Sequence, residues 1–147
     1  MVYQTPKMES LRSKKKFKQQ IEEVVFETLE YPKRYAHDER IVACKRLINQ
    51  KIHQPKIKLA DLAQEVCLSP SRLSHLFREQ MGMPIRSFII WERMKIAIHD
   101  LLQNDLNLTE AAYSAGFYDV AHFTKNFKEL FGVTPSVVYN NSRIVQA

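Results

Sequence analysis

At 147 residues the chain has room for one ordinary domain and a short extension, not two full domains. Its formal charge of +6 favours an anionic partner, and two cysteines supply neither a disulfide framework nor metal-ligand spacing. No apolar run approaches the ~18 residues of a membrane span, and the basic start lacks the apolar core of a signal peptide, so a cytoplasmic protein without a membrane partner is expected.

The charge is unevenly spread. Lys7, Arg12, Lys14, Lys15, Lys16 and Lys18 are opposed only by Glu9 in the first twenty residues, whereas residues 37–147 hold fourteen Lys and Arg against eleven Asp and Glu. Residues 1–36 read as a basic extension, mobile to about Ser13. A short amphipathic helix carries Ile21, Val24, Val25 and Leu29 and ends at Tyr31-Pro32. Asp38 can cap the next helix, which runs to about Gln50 with Ile41, Cys44, Leu47 and Ile48 inward. After Pro55, a helix from Leu59 to Val66 buries Leu62, Ala63 and Val66. Ser69-Pro70 then starts a helix, since serine caps and proline suits the first helical position, and Gly82 stops it after Met81. A long helix from Ile85 to Gln103 keeps Ile90, Met94, Ala97 or Ile98, and Leu101 on one apolar face. Asn104 and Asn107 break it. A short helix from Thr109 to Ala115 turns at Gly116, Asp119 caps a helix to Phe131, and Thr134-Pro135 opens a last one through Tyr139. The class is all-α: about seven helices plus the short N-terminal one. Both Cys44 and Cys67 fall on apolar helical patterns and read as buried thiols.

The chain repeats itself. Leu59, Ala63, Val66, Cys67 and Leu68 match Leu108, Ala112, Ala115, Gly116 and Phe117 at an offset of 49; beyond the turn, Leu73, Phe77, Arg78, Glu79 and Gly82 match Phe123, Phe127, Lys128, Glu129 and Gly132 at 50. Each copy is a short helix, a tight turn, a capping residue and a longer helix. Two copies are too few for a solenoid, whereas a duplicated helix-turn-helix accounts for them. In that motif the first helix braces the second, whose free face projects into the major groove. In the first unit Leu73, Leu76 and Phe77 lie inward, leaving Ser71, Ser74, His75 and Arg78 outward at i, i+3, i+4 and i+7. In the second, Phe123, Phe127 and Leu130 lie inward, with Val120, Ala121, Thr124, Lys125 and Lys128 outward. The helix between the units, about 28 Å long at ~1.5 Å per residue, is a spacer comparable to the ~34–36 Å turn of DNA. The units are one subdomain at about 38–84 and another at about 104–140, joined by the 85–103 helix within a domain of 37–147.

The segments LADLAQEVCLSPSRLSHLFREQMGMP and LTEAAYSAGFYDVAHFTKNFKELFGVTPSVVY resemble the two halves of the AraC/XylS family DNA-binding domain. The second is the more specific, through Gly116-Phe117, Phe123, Phe127-Lys128 and the run Phe131-Gly132-Val133-Thr134-Pro135. The resemblance covers about residues 38–140. It implies a bacterial regulator, usually an activator, that binds double-stranded promoter DNA and contacts RNA polymerase. Carried across, its base-reading positions are Ser71, Ser74 and His75 in the first unit and Val120, Ala121 and Lys125 in the second. Ser69, Arg72, Arg78, Thr124 and Lys128 are candidate phosphate contacts, Ser69 through the helix N-terminus that it caps. The sequence departs from the family pattern in three respects. Val120 and Ala121 are apolar, which suits thymine methyl groups rather than hydrogen-bonded readout. Cys67 stands where the second copy has glycine, which would strain a left-handed turn residue by roughly 1 kcal/mol. Nothing in the chain is large enough to be the ligand-sensing domain most members carry, so it is either a short stand-alone member or a piece of a longer regulator.

Other readings of these residues are plainer. The aromatics suit a helical core better than a base-stacking platform, and His37, His53, His99 and His122 lack metal-ligand spacing. No nucleophile–base pair or phosphate-cradling loop is present, so neither an enzyme nor a cofactor is expected. The alternative to DNA binding is a protein-interaction module that docks on RNA polymerase or another regulator. A monomer or weak dimer is expected.

Overall fold

The computed structural model describes residues 38–137, and all the regular structure among them is helical. Six helices follow in chain order: α1 (Glu39–Lys51), α2 (Leu59–Glu65), α3 (Pro70–Met81), α4 (Ile85–Gln103), α5 (Leu108–Ser114) and α6 (Val120–Phe131). Residues 135–137 begin a seventh at the edge of the described region. The expected helix near 21–29, the basic tail, His37 and the end of the last helix lie outside the described residues.

Local chemistry sets these boundaries. The Asp38 carboxylate accepts the Arg40 N–H at 2.9 Å, Ser69 Oγ accepts the Arg72 N–H at 3.2 Å, and the Asp119 carboxylate accepts the His122 N–H at 2.6 Å. Asn107 and Glu110 exchange a reciprocal pair of backbone bonds, which starts α5 one residue earlier than Thr109. Each cap satisfies a donor the helix cannot and contributes about 1 kcal/mol. Both long helices of the repeat stop at a glycine that donates back to a lysine or arginine carbonyl, Gly82 to Arg78 and Gly132 to Lys128.

The repeat in the sequence is a repeat in the hydrogen bonding. Leu68 N–H bonds the Ala63 carbonyl at 2.9 Å and Cys67 N–H that of Gln64 at 3.1 Å; in the second unit Phe117 bonds Ala112 at 3.0 Å and Gly116 bonds Tyr113 at 3.0 Å. Cys67 takes φ +56° and Gly116 φ +88°, so the cysteine does stand in the left-handed region expected of it. That geometry also corrects the expected burial of Cys67. The left-handed turn directs its side chain outward and leaves it exposed, whereas Cys44 is fully buried. The single-residue change in offset is Tyr118, an extra turn residue that the second unit extrudes to 74% exposure.

Two apolar cores result. One gathers Ile41, Cys44, Ile48, Leu62, Leu73 and Phe77; the other gathers Met94, Ala97, Ala112, Phe117, Phe123 and Phe127. Helix α4 belongs to both, sending Ile85, Phe88 and Ile89 into the first and Trp91, Met94, Ala97 and Ile98 into the second. This is why a single apolar face was an incomplete description: Ile90 and Leu101 are only half-buried, while Phe88, Ile89 and Trp91 are buried. In α6 the expected inward Leu130 is 45% exposed. Phe131 instead follows Phe127 onto the core, with ring centroids 4.7 Å apart, because four residues rather than three close the last turn on that side. The position three after Phe123 goes to Asn126, buried and donating its amide to the His122 carbonyl at 2.7 Å.

Candidate nucleic-acid interface

Packing of Leu73, Leu76 and Phe77 under α3 fixes which side chains that helix turns outward. Ser71, Arg72, His75 and Arg78 are exposed, as is the capping Ser69, and Ser74 is half-buried. On α6, Phe123 and Phe127 are buried, and Ala121, Lys125 and Lys128 are exposed, with Thr124 half-buried. Val120 departs from the outward reading, since it is half-buried and packs against the second core.

Residues of α3 and α6 border a common concavity. A cleft of about 620 Å³ is lined by Ser74 and Arg78 of α3 and His122 of α6, with Ile85, Ile89 and Arg93 of α4 beneath. Lys56, on the loop before α2, and Arg86, on the first turn of α4, complete its cationic lining, and no carboxylate lines it. Of the sequence-derived site residues, the cleft gathers Ser74 and Arg78; Ser71, His75, Ala121 and Lys125 are not among its walls. His122 presses its ring edge-to-face on Phe117 at 5.5 Å, and its Nδ1 is buried without a hydrogen-bond partner.

What holds the two units in register was not read from the sequence. Arg93, only 5% exposed, donates through Nε to the Ile52 carbonyl at 3.1 Å and through Nη2 to the Gln54 carbonyl. Burial lowers its pKa from the usual guanidinium value. From the same loop, His53 Nδ1 donates to the Ser114 carbonyl at 2.6 Å, 61 residues away. Gly116 sits so close that a Cβ there would strike the Ile52 carbonyl oxygen and lie 3.1 Å from Arg93 Nε. Residues 52–54 of the first unit are thus clasped between α4 and the turn of the second. One available signal was an arginine interrupting the apolar positions Ile89, Met94 and Ala97. The far end of α4 is tied down by Asp100, which accepts Ser114 Oγ at 2.6 Å and the Asn104 amide at 2.7 Å. Burial pushes the Asp100 carboxyl up, but hydrogen bonds from Ser114, Asn104 and His99 outweigh it and hold its pKa below the ordinary value.

Among the described residues, no three His, Cys, Asp or Glu side chains gather as a metal site, and no helix is long and apolar enough to cross a membrane.

A family model described as a helix-turn-helix domain matches residues 62–141. The chain is 34% identical over 99 residues to the arabinose operon regulatory protein of Escherichia coli, covering 67% of this chain and 34% of that protein. It is 31% identical over 99 residues to the transcriptional activator NphR of a Rhodococcus species, covering 67% and 29%. The chain therefore spans about a third of the length of these curated relatives. In three dimensions it matches the DNA-binding domain of the global transcriptional factor AdpA, solved with a target DNA. The TM-score is 0.65 at 19% identity, over 71% of this chain and 94% of that one, a likeness of fold.

Proposed function

The chain belongs to the AraC/XylS family of helix-turn-helix DNA-binding transcription regulators, and from that premise we propose that it sets α3 and α6 in successive major grooves of a promoter site and activates transcription there. In this reading Ser71, Ser74 and His75 face base edges in one groove, and Lys125 reaches a guanine O6/N7 edge in the next. Ala121 and the uncovered part of Val120 meet thymine methyl groups, because neither can exchange hydrogen bonds with a base. Ser69, Arg72, Arg78, Thr124 and Lys128 hold phosphates and set the register. RNA polymerase is the protein partner, and the DNA-binding unit acts as a monomer or weak dimer.

The observation that carries the proposal is the shared cleft, since Ser74 and Arg78 of α3 and His122 of α6 line one cationic concavity. The shared lining supports the reading by bringing α3 and α6 beside one cationic surface. The test is selection of bound sites from a random duplex pool, followed by electrophoretic shift across a salt series. The expected outcome is a bipartite motif with half-sites one helical turn apart and affinity that falls steeply with salt. Failure to shift any duplex at low salt would remove the reading.

A further inference from the structure

The cleft holds more positive charge than the reading helices require. Lys56, Arg78 and Arg86 reach it from three separate segments, and among the described residues none of these three side chains has a hydrogen bond or an ion pair. Beneath them Arg93 is buried and bonded only to backbone carbonyls, so no carboxylate neutralises it. A buried cation with no counter-ion is a standing electrostatic cost. An anion seated in the cleft would relieve that cost, and the apolar side chains of Ile85 and Ile89 in the floor keep local water from screening the attraction. The cleft is lined from α3 by Ser74 and Arg78 and from α6 by His122, so it lies beside both helices.

We propose that this cleft is a phosphodiester site, taking the sugar–phosphate backbone that crosses between the two grooves, with Lys56 and Arg86 as its direct contacts and Arg93 as the buried charge behind them. The inference rests on the proposed DNA-binding reading and adds residues to it that neither recognition helix contains. Backbone contacts of this kind fix register without carrying sequence information. Lys56 and Arg86 therefore act on every duplex alike, while Lys125 acts on the preferred one.

The test uses the full chain, the variants Lys56→Gln and Arg86→Gln, and their combination. Both side chains are exposed and bond to no other group of the protein, so thermal melts of the variants should overlay that of the parent. The slope of log affinity against log salt should fall by about 0.9 per charge removed, and by about 1.8 in the double variant, equally on the selected site and on random duplex. A second arm replaces single phosphates between the half-sites with uncharged methylphosphonate. At one or two positions the parent should lose affinity, and the double variant should lose none beyond its own deficit. Parental slopes in the double variant, or a spacer in which no neutral phosphate matters, would overturn the cleft assignment while leaving groove binding intact. A parent chain that binds no duplex would overturn both.

Discussion

The equivalent turn positions of the two units carry different residues, and a short series of substitutions separates backbone strain from steric closure. At Gly82, φ is +71° and a Cβ would meet nothing within 4 Å. Gly82→Ala therefore suffers only the left-handed penalty, about 1–2 kcal/mol, offset by roughly 0.4–1 kcal/mol through restriction of the unfolded chain. The net loss is about 0.5–1 kcal/mol. Gly116→Ala, at φ +88°, has that cost and a further one, because its Cβ collides with the backbone oxygen of Ile52. Moving that carbonyl strains the Arg93 bond it accepts, and overpacking of this kind costs about 1–3 kcal/mol. The sum is about 2–4 kcal/mol. In a domain of this size each kcal/mol lowers Tm by about 4–8 °C, so circular-dichroism melts should place Gly116→Ala at least ~8 °C below the parent and well below Gly82→Ala. Cys67→Gly should move the other way by up to about 1 kcal/mol, since Cys67 already bears the strain at φ +56° and its side chain is exposed. Melts of Gly116→Ala and Gly82→Ala that coincide would show that the 52–54 loop yields freely, and the clasp argument would fall.

Further outcomes follow from the same geometry. Lys125→Ala should cost about 1–3 kcal/mol of affinity for the selected site with little change on random duplex; equal losses in a paired electrophoretic titration would make it a phosphate contact. Phe127→Ala removes a side chain 2% exposed that touches the rings of Phe123 and Phe131, and should destabilise the second unit by about 3–5 kcal/mol in urea denaturation. Among the described thiols, Cys67 should react rapidly with an aromatic disulfide at pH 8, whereas Cys44, its pKa pushed up to about 11 by burial, should react only on unfolding. That raised pKa has a defined sign: stability from the neutral Cys44 thiol is complete below the ordinary thiol value of 9.0 and is lost as pH climbs toward 11, where the unfolded chain ionises first. At the acid end Asp38, held at about 2 by its hydrogen bonds from the Arg40 side chain and backbone, and Asp100, also lowered, favour the fold above pH 3.8. Their support is lost as pH falls below that, and acid titrations followed by circular dichroism should show the loss.

Legibility tracked how local the determining physics was. Ser69-Pro70, Asp119, Gly82 and Gly132 act within one turn of their own helix, and the helix ends they imply are the ones observed. The offset of 49 becoming 50 located the repeat and, without saying so, the extruded Tyr118. Apolar spacing alone misplaced Leu130 and Val120, because period tells which side a residue is on but not where the opposing core ends. Cys67 was misread for a related reason, its burial being decided by one dihedral angle rather than by the helical pattern preceding it. Least legible was the clasp. His53 to Ser114 and Arg93 to Ile52 join residues 61 and 41 positions apart, and carbonyl partners carry no side-chain signature. The cationic lining was hidden likewise, since Lys56 and Arg86 look like ordinary solvated charges until the loop and α4 are brought together.

The stiffness of that junction bears on which partner deforms in the proposed complex. A nineteen-residue α4 spans about 28 Å, less than the ~34–36 Å repeat of B-form duplex. In the proposed complex, a spacer of that length requires either the protein or the duplex to yield for both helices to seat. Swinging one unit away from the other would open a core, since α4 has Phe88 in the first and Met94 in the second, each almost fully buried, and would also break the Arg93 and His53 bonds to the other unit. Each buried aromatic or charged bond lost that way costs some 1.5–5 kcal/mol, against about 1–6 kcal/mol to bend a duplex of that length smoothly. Several such losses together exceed the bend, so the duplex is the softer body. Flexible steps at the centre of the site then contribute to selectivity even where no side chain touches a base, and the strength of the clasp sets how large that contribution is.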